Sequence, residues 1–367
     1  MGVVGMSAVL TINPGSSSLQ AHVIDDHRVL GSMHVEQRPE TDDAVNELEK
    51  LLSRNTNIEA VGHRIVHGGP GVTTPTIVSD GVIDAVREFA SLAPLHVPAS
   101  LTLLDKLRDR LGVPHVLCPD TAFHSGLPEV AATYPLPKEW RERFGLRRYG
   151  FHGLSYGWAI SRAAELLERP VAELSLLLAH LGGGSSVCAF RDGRSVDTSM
   201  GFTPLEGLPM AKRSGSVDPG MLLWLLRENK LGLDELAEGL HTGSGLLGLG
   251  GSPDTRDLVR AAAAGDVDAD LALRVFTHRA SRELAAAATS LDRIDALVFT
   301  GEIGWDQPEV REAIADRLGV LGFSGGLSGN REDDGPISPP GAAIPVLVVQ
   351  TREEMQIYRD TVSTIAG

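Results

Sequence analysis

The chain has 367 residues, 42% of them apolar and 22% charged, and a formal net charge of −15 at pH 7. The length makes two domains the natural expectation, and the composition is that of a soluble globular protein. The acidic balance speaks against a nucleic-acid surface, which needs clustered basic residues, and no apolar run is long enough for a membrane span. The two cysteines, Cys118 and Cys188, sit in no metal or redox spacing, so a reducing, cytoplasmic setting is expected. The start, Met1-Gly2-Val3-Val4-Gly5-Met6, has neither the basic region of a signal peptide nor the Ser/Thr of a myristoylation signal, and Met6 is an alternative first residue.

In chain order, Val9–Asn13 and Leu19–Ile24 read as strands flanking the turn Asn13-Pro14-Gly15-Ser16-Ser17-Ser18. Asp43–Ser53 has helical spacing through Val45, Leu48 and Leu51–Leu52, and Ile58–Arg64 reads as a strand running into Gly68-Gly69. Helices are expected at Gly81–Leu92 and Leu101–Leu111, and a short strand at Val116–Asp120. The pattern then restarts with a helix at Ser155–Leu167 and a strand at Leu174–His180. Gly182–Ser186 turns that strand into Val187–Phe190. A long alanine-rich helix, Asp268–Leu291, precedes Arg293–Gly301, which repeats the helix, strand, glycine order around Ile58–Gly62. Pro345–Val349 is a last strand and Glu353–Ile365 a closing helix, with Gly322–Gly341 a loop. Two strand, Gly/Ser turn, strand units predict one duplicated α/β domain.

The two turns matter chemically, because backbone N–H groups in tight Gly/Ser turns make concave anion sites. Gly243-Ser244-Gly245-Leu246-Leu247-Gly248 fits the G-x-G-x-x-G pattern, but a helical stretch, Leu233–Leu240, precedes it where a dinucleotide site needs a strand. No P-loop or H-E-x-x-H zinc motif is present. Polar residues instead arrive singly at other strand ends: Arg64, Asp120, His152 and Arg213. Two guanidinium forks, an imidazole and a carboxylate are the set that neutralises and aligns a transferring phosphoryl group.

These blocks resemble the acetate kinases of the acetate and sugar kinase, chaperone ATPase and actin superfamily. The blocks are Asn13–Leu19, Val61–Gly69, Ala93–His96, Asp120–His124, Arg148–Gly153 and Thr198–Leu208. The resemblance implies two duplicated RNase H-like (actin-like ATPase) domains with the active site in the interdomain cleft. Residues 1–122 with 354–367 would form the first domain, and 123–353 the second, carrying the nucleotide site. It implies transfer of the γ-phosphoryl of ATP to acetate, reversibly, with Mg²⁺, in a homodimer. By the same resemblance Asp120, His152 and Arg213 are catalytic, and Arg64, Val66, Leu95, Phe151 and Pro204 bind the substrate. Asn13 and Glu353 match the magnesium positions, and His96, His124 and His180 match histidines facing the site. Acetate is already an anion at neutral pH, so Asp120 is expected to orient an arginine or the magnesium shell rather than act as a base. One extra methylene changes affinity by only ~1–3 kcal/mol, so propionate is expected to react too.

The nucleotide and phosphate positions would be Ser16, Ser18, Gln20, His180, Leu181, Gly182, Gly183, Gly184, Asp254, Thr255, Arg256, Glu302, Ile303, Gly304, Trp305 and Asp306. Here the chain departs from the family pattern. Gln20 stands for a lysine, Gly183 for an asparagine, Arg352 for the asparagine before Glu353, and Glu302–Asp306 for Gly-Ile-Gly-Glu-Asn. Thr255 replaces an aromatic residue between the retained Asp254 and Arg256. Two alternatives follow: the same chemistry with pyrophosphate or phosphate in place of ATP, and a catalytically silent metabolite-binding relative.

Overall fold

A computed structural model describes residues 8–15, 18–94 and 96–367. The chain divides into two compact units. One comprises the stretch up to Ser125 with Phe151–Trp158 and Arg352–Gly367, the other Gly126–Gly150 with Ala159–Thr351.

The first unit is built on a six-stranded sheet of β1 (Ala8–Pro14), β2 (Leu19–Asp25), β3 (Arg28–Val35), β4 (Ile58–Ile65), β5 (Thr76–Ile77) and β6 (His115–Pro119). The spatial order is β3-β2-β1-β4-β6-β5. Strands β1, β4 and β6 run parallel, and β2, β3 and β5 pair antiparallel with their neighbours. Every residue of β1 is buried, as expected for a strand covered on both faces. Leu10 and Ile12 meet Ala44, Leu48, Leu51 and Leu103 from the helices Asp42–Arg54 and Val97–Arg110. Val9, one residue out of phase, faces Met355 and Tyr358 of the C-terminal helix Glu353–Ala366. That helix lies so close to β4 that a Cβ on Gly62 would collide with the Thr361 and Ile357 side chains.

The second unit repeats the plan with β7 (Ser175–Leu181), β8 (Ser185–Arg191), β9 (Arg194–Thr198), β10 (Ala296–Thr300), β11 (Gly335–Pro336) and β12 (Val346–Val348). Its order is β11-β12-β10-β7-β8-β9, so each strand takes the place of the one six earlier in the first sheet. The parallel and antiparallel pairings also correspond. The predicted duplication is therefore present strand for strand, and β10 occupies the place of β4, as the repeated helix, strand, glycine order implied. The helix Val267–Ala288 buries Phe276, Ala280 and Leu284 against Leu177, Ala179, Leu297 and Phe299.

Several expectations need adjustment. β3 was not anticipated because it is an edge strand with five exposed residues out of eight, so its alternation is weak. The helix expected from Leu101 starts at Val97, with Pro98 in its first turn where the missing N–H costs nothing. Gly81–Leu92 is an α-helix, Asp80–Glu88, followed by a 3₁₀ turn, Ala90–Leu92. Within Arg293–Gly301 the strand is Ala296–Thr300, and Gly301 opens a short helix to Asp306. The loop Gly322–Gly341 contains β11. Gly245–Gly250 is a short helix that follows the helix Leu233–Thr242, which removes the strand a dinucleotide fingerprint requires. Among the described residues no helix is long and apolar enough to cross a membrane.

Candidate active site

In the first unit, four sequence-predicted polar residues form one hydrogen-bonded group. Arg64, near the end of β4, donates from Nη2 to Asp120 Oδ2 at 2.7 Å and from Nε to both Asp120 oxygens at 3.2 Å. Its Nη1 donates to Asn13 Oδ1 at 2.9 Å and lies 3.5 Å from Glu353 Oε2. Asn13 Nδ2 donates to the same Glu353 oxygen at 2.8 Å. Two parallel strands and the closing helix thus deliver an amide and two carboxylates to one guanidinium.

Asp120 is only 1% exposed. Burial pushes its carboxyl up to about 6, with Glu353 adding to the rise and Arg64 opposing it. For Arg64, burial disfavours the charge, but Asp120 and Glu353 outweigh it and hold the guanidinium above the ordinary arginine value.

Beside this group, Gly153 N donates to the Asp120 carbonyl at 3.1 Å, an approach that a Cβ on Gly153 would block. His124 Nε2 lies 2.9 Å from the Phe151 carbonyl, which makes Nε2 the protonated nitrogen. Pinned on both sides, His152 adopts the left-handed region at φ 58°. Strain of that kind costs about 1–3 kcal/mol and persists only where the surroundings impose it. Val66 and Phe151 are buried, and the His67 ring meets Phe151 edge-on at 5.5 Å. His96 stands at the N-terminus of the helix Val97–Arg110. Ser16 and Leu95 lie outside the described residues. Ser18 closes its turn by accepting from Gly15 N at 2.8 Å, and Gln20 pairs with Asn13 across β1 and β2.

The second unit gathers the other predicted residues. His180 and Leu181 end β7, and Gly182–Gly184 turn into β8, where Ser185 Oγ bonds Gly182 at 3.3 Å. Ala211 N donates to the Gly183 carbonyl at 3.4 Å, which places the segment bearing Arg213 against that turn. Arg213 Nη1 donates to the Pro204 carbonyl at 2.6 Å, and no acidic side chain among the described residues pairs with it. Burial lowers this guanidinium to about 10.

Asp254 caps the helix Thr255–Ala263 through Arg256 N at 2.8 Å and holds the Arg256 side chain, also at 2.8 Å. The Arg256 bond is the main reason the Asp254 carboxyl is lowered. Asp306 lies near enough to act on the Arg256 charge. Thr255 and Ile303 are buried, and Trp305 packs half-buried on the core of this unit rather than standing free.

The acetokinase family model matches residues 34–359. The acetate kinase of Deinococcus radiodurans is 46% identical over 331 residues, 89% of this chain and 83% of that protein. This chain belongs to the acetokinase family. The crystal structure of Porphyromonas gingivalis acetate kinase superimposes with a TM-score of 0.87 at 32% identity, covering 98% of this chain and all 100% of that one. A propionate kinase from Francisella tularensis gives a TM-score of 0.89, also at 32% identity, with 98% and 100% coverage.

Within this acetokinase, two features carried no sequence signal of their own. Arg311, 0% exposed, donates from Nη1 to the Gly304 carbonyl at 3.0 Å and from Nη2 to the Asn330 carbonyl at 2.7 Å, and also reaches the Trp305 carbonyl. It ties Gly304 and Trp305 to the loop beyond. The second feature joins Tyr134, Arg148 and Glu206. Arg148 and Glu206 lie inside recognised blocks, but their pairing across 58 positions is invisible in one dimension.

Proposed function

We propose that this acetokinase transfers the γ-phosphoryl of ATP to acetate, giving acetyl phosphate and ADP with Mg²⁺, and accepts propionate more weakly. The observation that carries the reading is the group around Arg64. Asp120 takes the Nε and Nη2 edge and Asn13 takes Nη1, yet a guanidinium has more N–H donors than these bonds use. Arg64 therefore retains donors for an incoming carboxylate while Asp120 fixes its plane. Asp120 so paired orients Arg64, and deprotonated acetate needs no base.

The acetate oxygen attacks phosphorus, the bond from phosphorus to the ADP oxygen breaks, and the electron pair leaves with ADP. Arg213, free of any acidic partner among the described residues, supplies positive charge to the phosphoryl oxygens. His152, fixed in its left-handed conformation, donates to the same oxygens as charge develops. Val66 and Phe151 supply apolar surface for a short acyl chain.

Asn13 Oδ1 and the Glu353 carboxylate are the oxygens that would hold Mg²⁺, which takes one or two protein oxygens and completes its shell with phosphates and waters. Asn13 Oδ1 here accepts from Arg64 Nη1 and Glu353 Oε2 from Asn13 Nδ2, bonds that the ion would replace in part. Bound there, the ion would neutralise charge on the phosphate oxygens.

Steady-state assays with acetate and either Mg·ATP or Mg·pyrophosphate test the donor. The altered Gln20, Gly183 and Glu302 keep pyrophosphate as the second reading. Activity with pyrophosphate and none with ATP would replace the first by the second. Arg64→Ala is expected to raise the acetate KM ~10–100-fold, the loss of a charge-assisted bond.

The active form is proposed to be a homodimer. The helix Pro219–Arg227 buries no residue and exposes Met221, Leu223 and Trp224, which a second copy would cover. A monomer at micromolar concentration in sedimentation would end that proposal.

A further inference from the structure

We infer that Tyr134, Arg148 and Glu206 are positioning residues that aim the Arg213 guanidinium through the backbone of Ser199–Glu206. The inference rests on the role proposed for Arg213. The loop is pinned along its length. Arg148 Nη1 donates to the Ser199 and Met200 carbonyls, both at 3.0 Å, and Tyr149 N donates to the Gly201 carbonyl at 3.0 Å. Phe202 N donates to the Tyr134 hydroxyl oxygen at 2.8 Å. Glu206 accepts from Arg148 Nη2 at 2.9 Å through one oxygen and from the Tyr134 hydroxyl through the other.

Pro204 lies midway between the pins at Phe202 and Glu206. Its carbonyl is the acceptor for Arg213 Nη1 at 2.6 Å. The proline ring fixes φ, so the carbonyl can turn only about ψ. That turn is limited by the pins on either side and by Leu205 N, in the same peptide plane, which donates to Thr203 Oγ1 at 3.4 Å. Tyr134 and Arg148 are themselves adjacent, because Thr133 bridges Arg147 and the Arg148 guanidinium stacks over the Tyr134 ring at 5.5 Å. Burial, with the bond to Glu206 adding to it, keeps the Tyr134 phenol protonated, so it stays a donor across the working pH range.

The anchor matters because no other hydrogen bond or ion pair among the described residues holds the Arg213 side chain. An arginine paired with a carboxylate is held by charge, whereas this one is held by a single neutral carbonyl. The direction of that carbonyl sets the guanidinium before any phosphate arrives, which is the preorganisation that electrostatic catalysis requires.

The test is a double-mutant cycle on the full-length protein, using Tyr134→Phe, Arg213→Ala and the double variant. Turnover of acetate and Mg·ATP is read with labelled nucleotide so that slow variants remain measurable. Tyr134→Phe alone is expected to lower kcat ~10-fold while the acetate KM moves less than ~2-fold, as for a contact made chiefly in the transition state. In the Arg213→Ala background the same substitution should cost nothing more, since its effect passes through the missing guanidinium. Glu206→Gln should behave like Tyr134→Phe, and if that variant fails to fold, the Tyr134 cycle decides alone. Equal losses in both backgrounds, or a change confined to KM, would overturn the positioning role while leaving Arg213 in place. An Arg213→Ala enzyme with undiminished kcat would remove both this inference and the role on which it rests.

Discussion

Asn13 Nδ2 donates to Glu353 Oε2 at 2.8 Å across 340 positions of sequence. The bond exists because β1 is central in its sheet and the C-terminal helix returns to cover β1, β4 and β6. Glu353→Gln keeps an oxygen acceptor for Asn13 but removes the charge that would attract a divalent cation. The Mg²⁺ concentration for half-maximal activity should rise ~10-fold or more, with the melting temperature nearly unchanged. An unchanged Mg²⁺ requirement would exclude Glu353 from the cation site.

Asp120 is expected to give the enzyme an acid limb. Its carboxyl is pushed up to about 6, so it neutralises as pH falls through that value and releases the Nε and Nη2 edge of Arg64. The kcat/KM for acetate should fall below about pH 6 in the parent enzyme. Asp120→Asn should be slow at every pH and lack that limb. For stability the sign is opposite. A raised acid binds more protons folded than unfolded, so its contribution is greatest at low pH and is lost as pH rises through about 6.

Arg213 should separate activity from stability. Burial disfavours its charge, lowering it to about 10, and among the described residues the Pro204 carbonyl is its one hydrogen-bond acceptor, with no acidic side chain beside it. Arg213→Ala is expected to reduce kcat ~10²–10³-fold, the scale of losing a preorganised charge-stabilising donor. Its melting temperature should stay level or rise. A large drop in melting temperature would mean that the side chain holds the fold instead.

Gly183 offers a gain-of-function test. A Cβ there would meet nothing within 4 Å, so an asparagine fits without displacing the β7 to β8 turn. Gly183→Asn, alone or with Gln20→Lys, should lower the KM for ATP several-fold by adding a phosphate donor and a positive charge. If pyrophosphate is the natural donor, both changes should leave the ATP reaction negligible.

His63 and His115 predict how the fold responds to acid. His63 Nε2 lies 2.8 Å from His115 Nδ1, and the rings stack 5.1 Å apart at 17°. Because His115 Nε2 faces the Leu111 carbonyl at 3.2 Å, His115 Nδ1 is left as the acceptor and His63 Nε2 as the donor. Burial lowers both pKa values, His63 strongly. Folded histidines that resist protonation give stability that is full above the unfolded value near 6.5 and is lost as pH falls below it. Replacing the pair by His63→Phe and His115→Leu should flatten the melting-temperature profile below about pH 6.5. An unaltered profile would place the acid sensitivity elsewhere.

Much of this was legible in one dimension. The Gly/Ser turns after β1 and β7 announced the duplication, because a tight turn between two apolar strands is a local property. Arg64 and Asp120 stood out by residue type at a strand's end, whereas Asn13 and Glu353 stood out only through the resemblance to the family's magnesium positions. Strand β3 escaped because exposure erases the apolar alternation on which strand reading depends. Tyr134 escaped for a different reason: nothing in its neighbourhood distinguishes a surface tyrosine from one that holds Glu206 and Phe202.

The amino-acid order alone indicated the central strands and several of the helices, that the plan occurs twice, and which family the chemistry resembles. Those properties follow from local periodicity and short motifs. Only the folded chain decided that Asn13 and Glu353 share a hydrogen bond, that Asp120 fixes the plane of Arg64, and that a carbonyl rather than a carboxylate anchors Arg213. The first two join residues 340 and 56 positions apart, and the third joins residues nine apart in an irregular segment. Their geometry is set by sheet order, helix docking and loop packing, which no local pattern encodes.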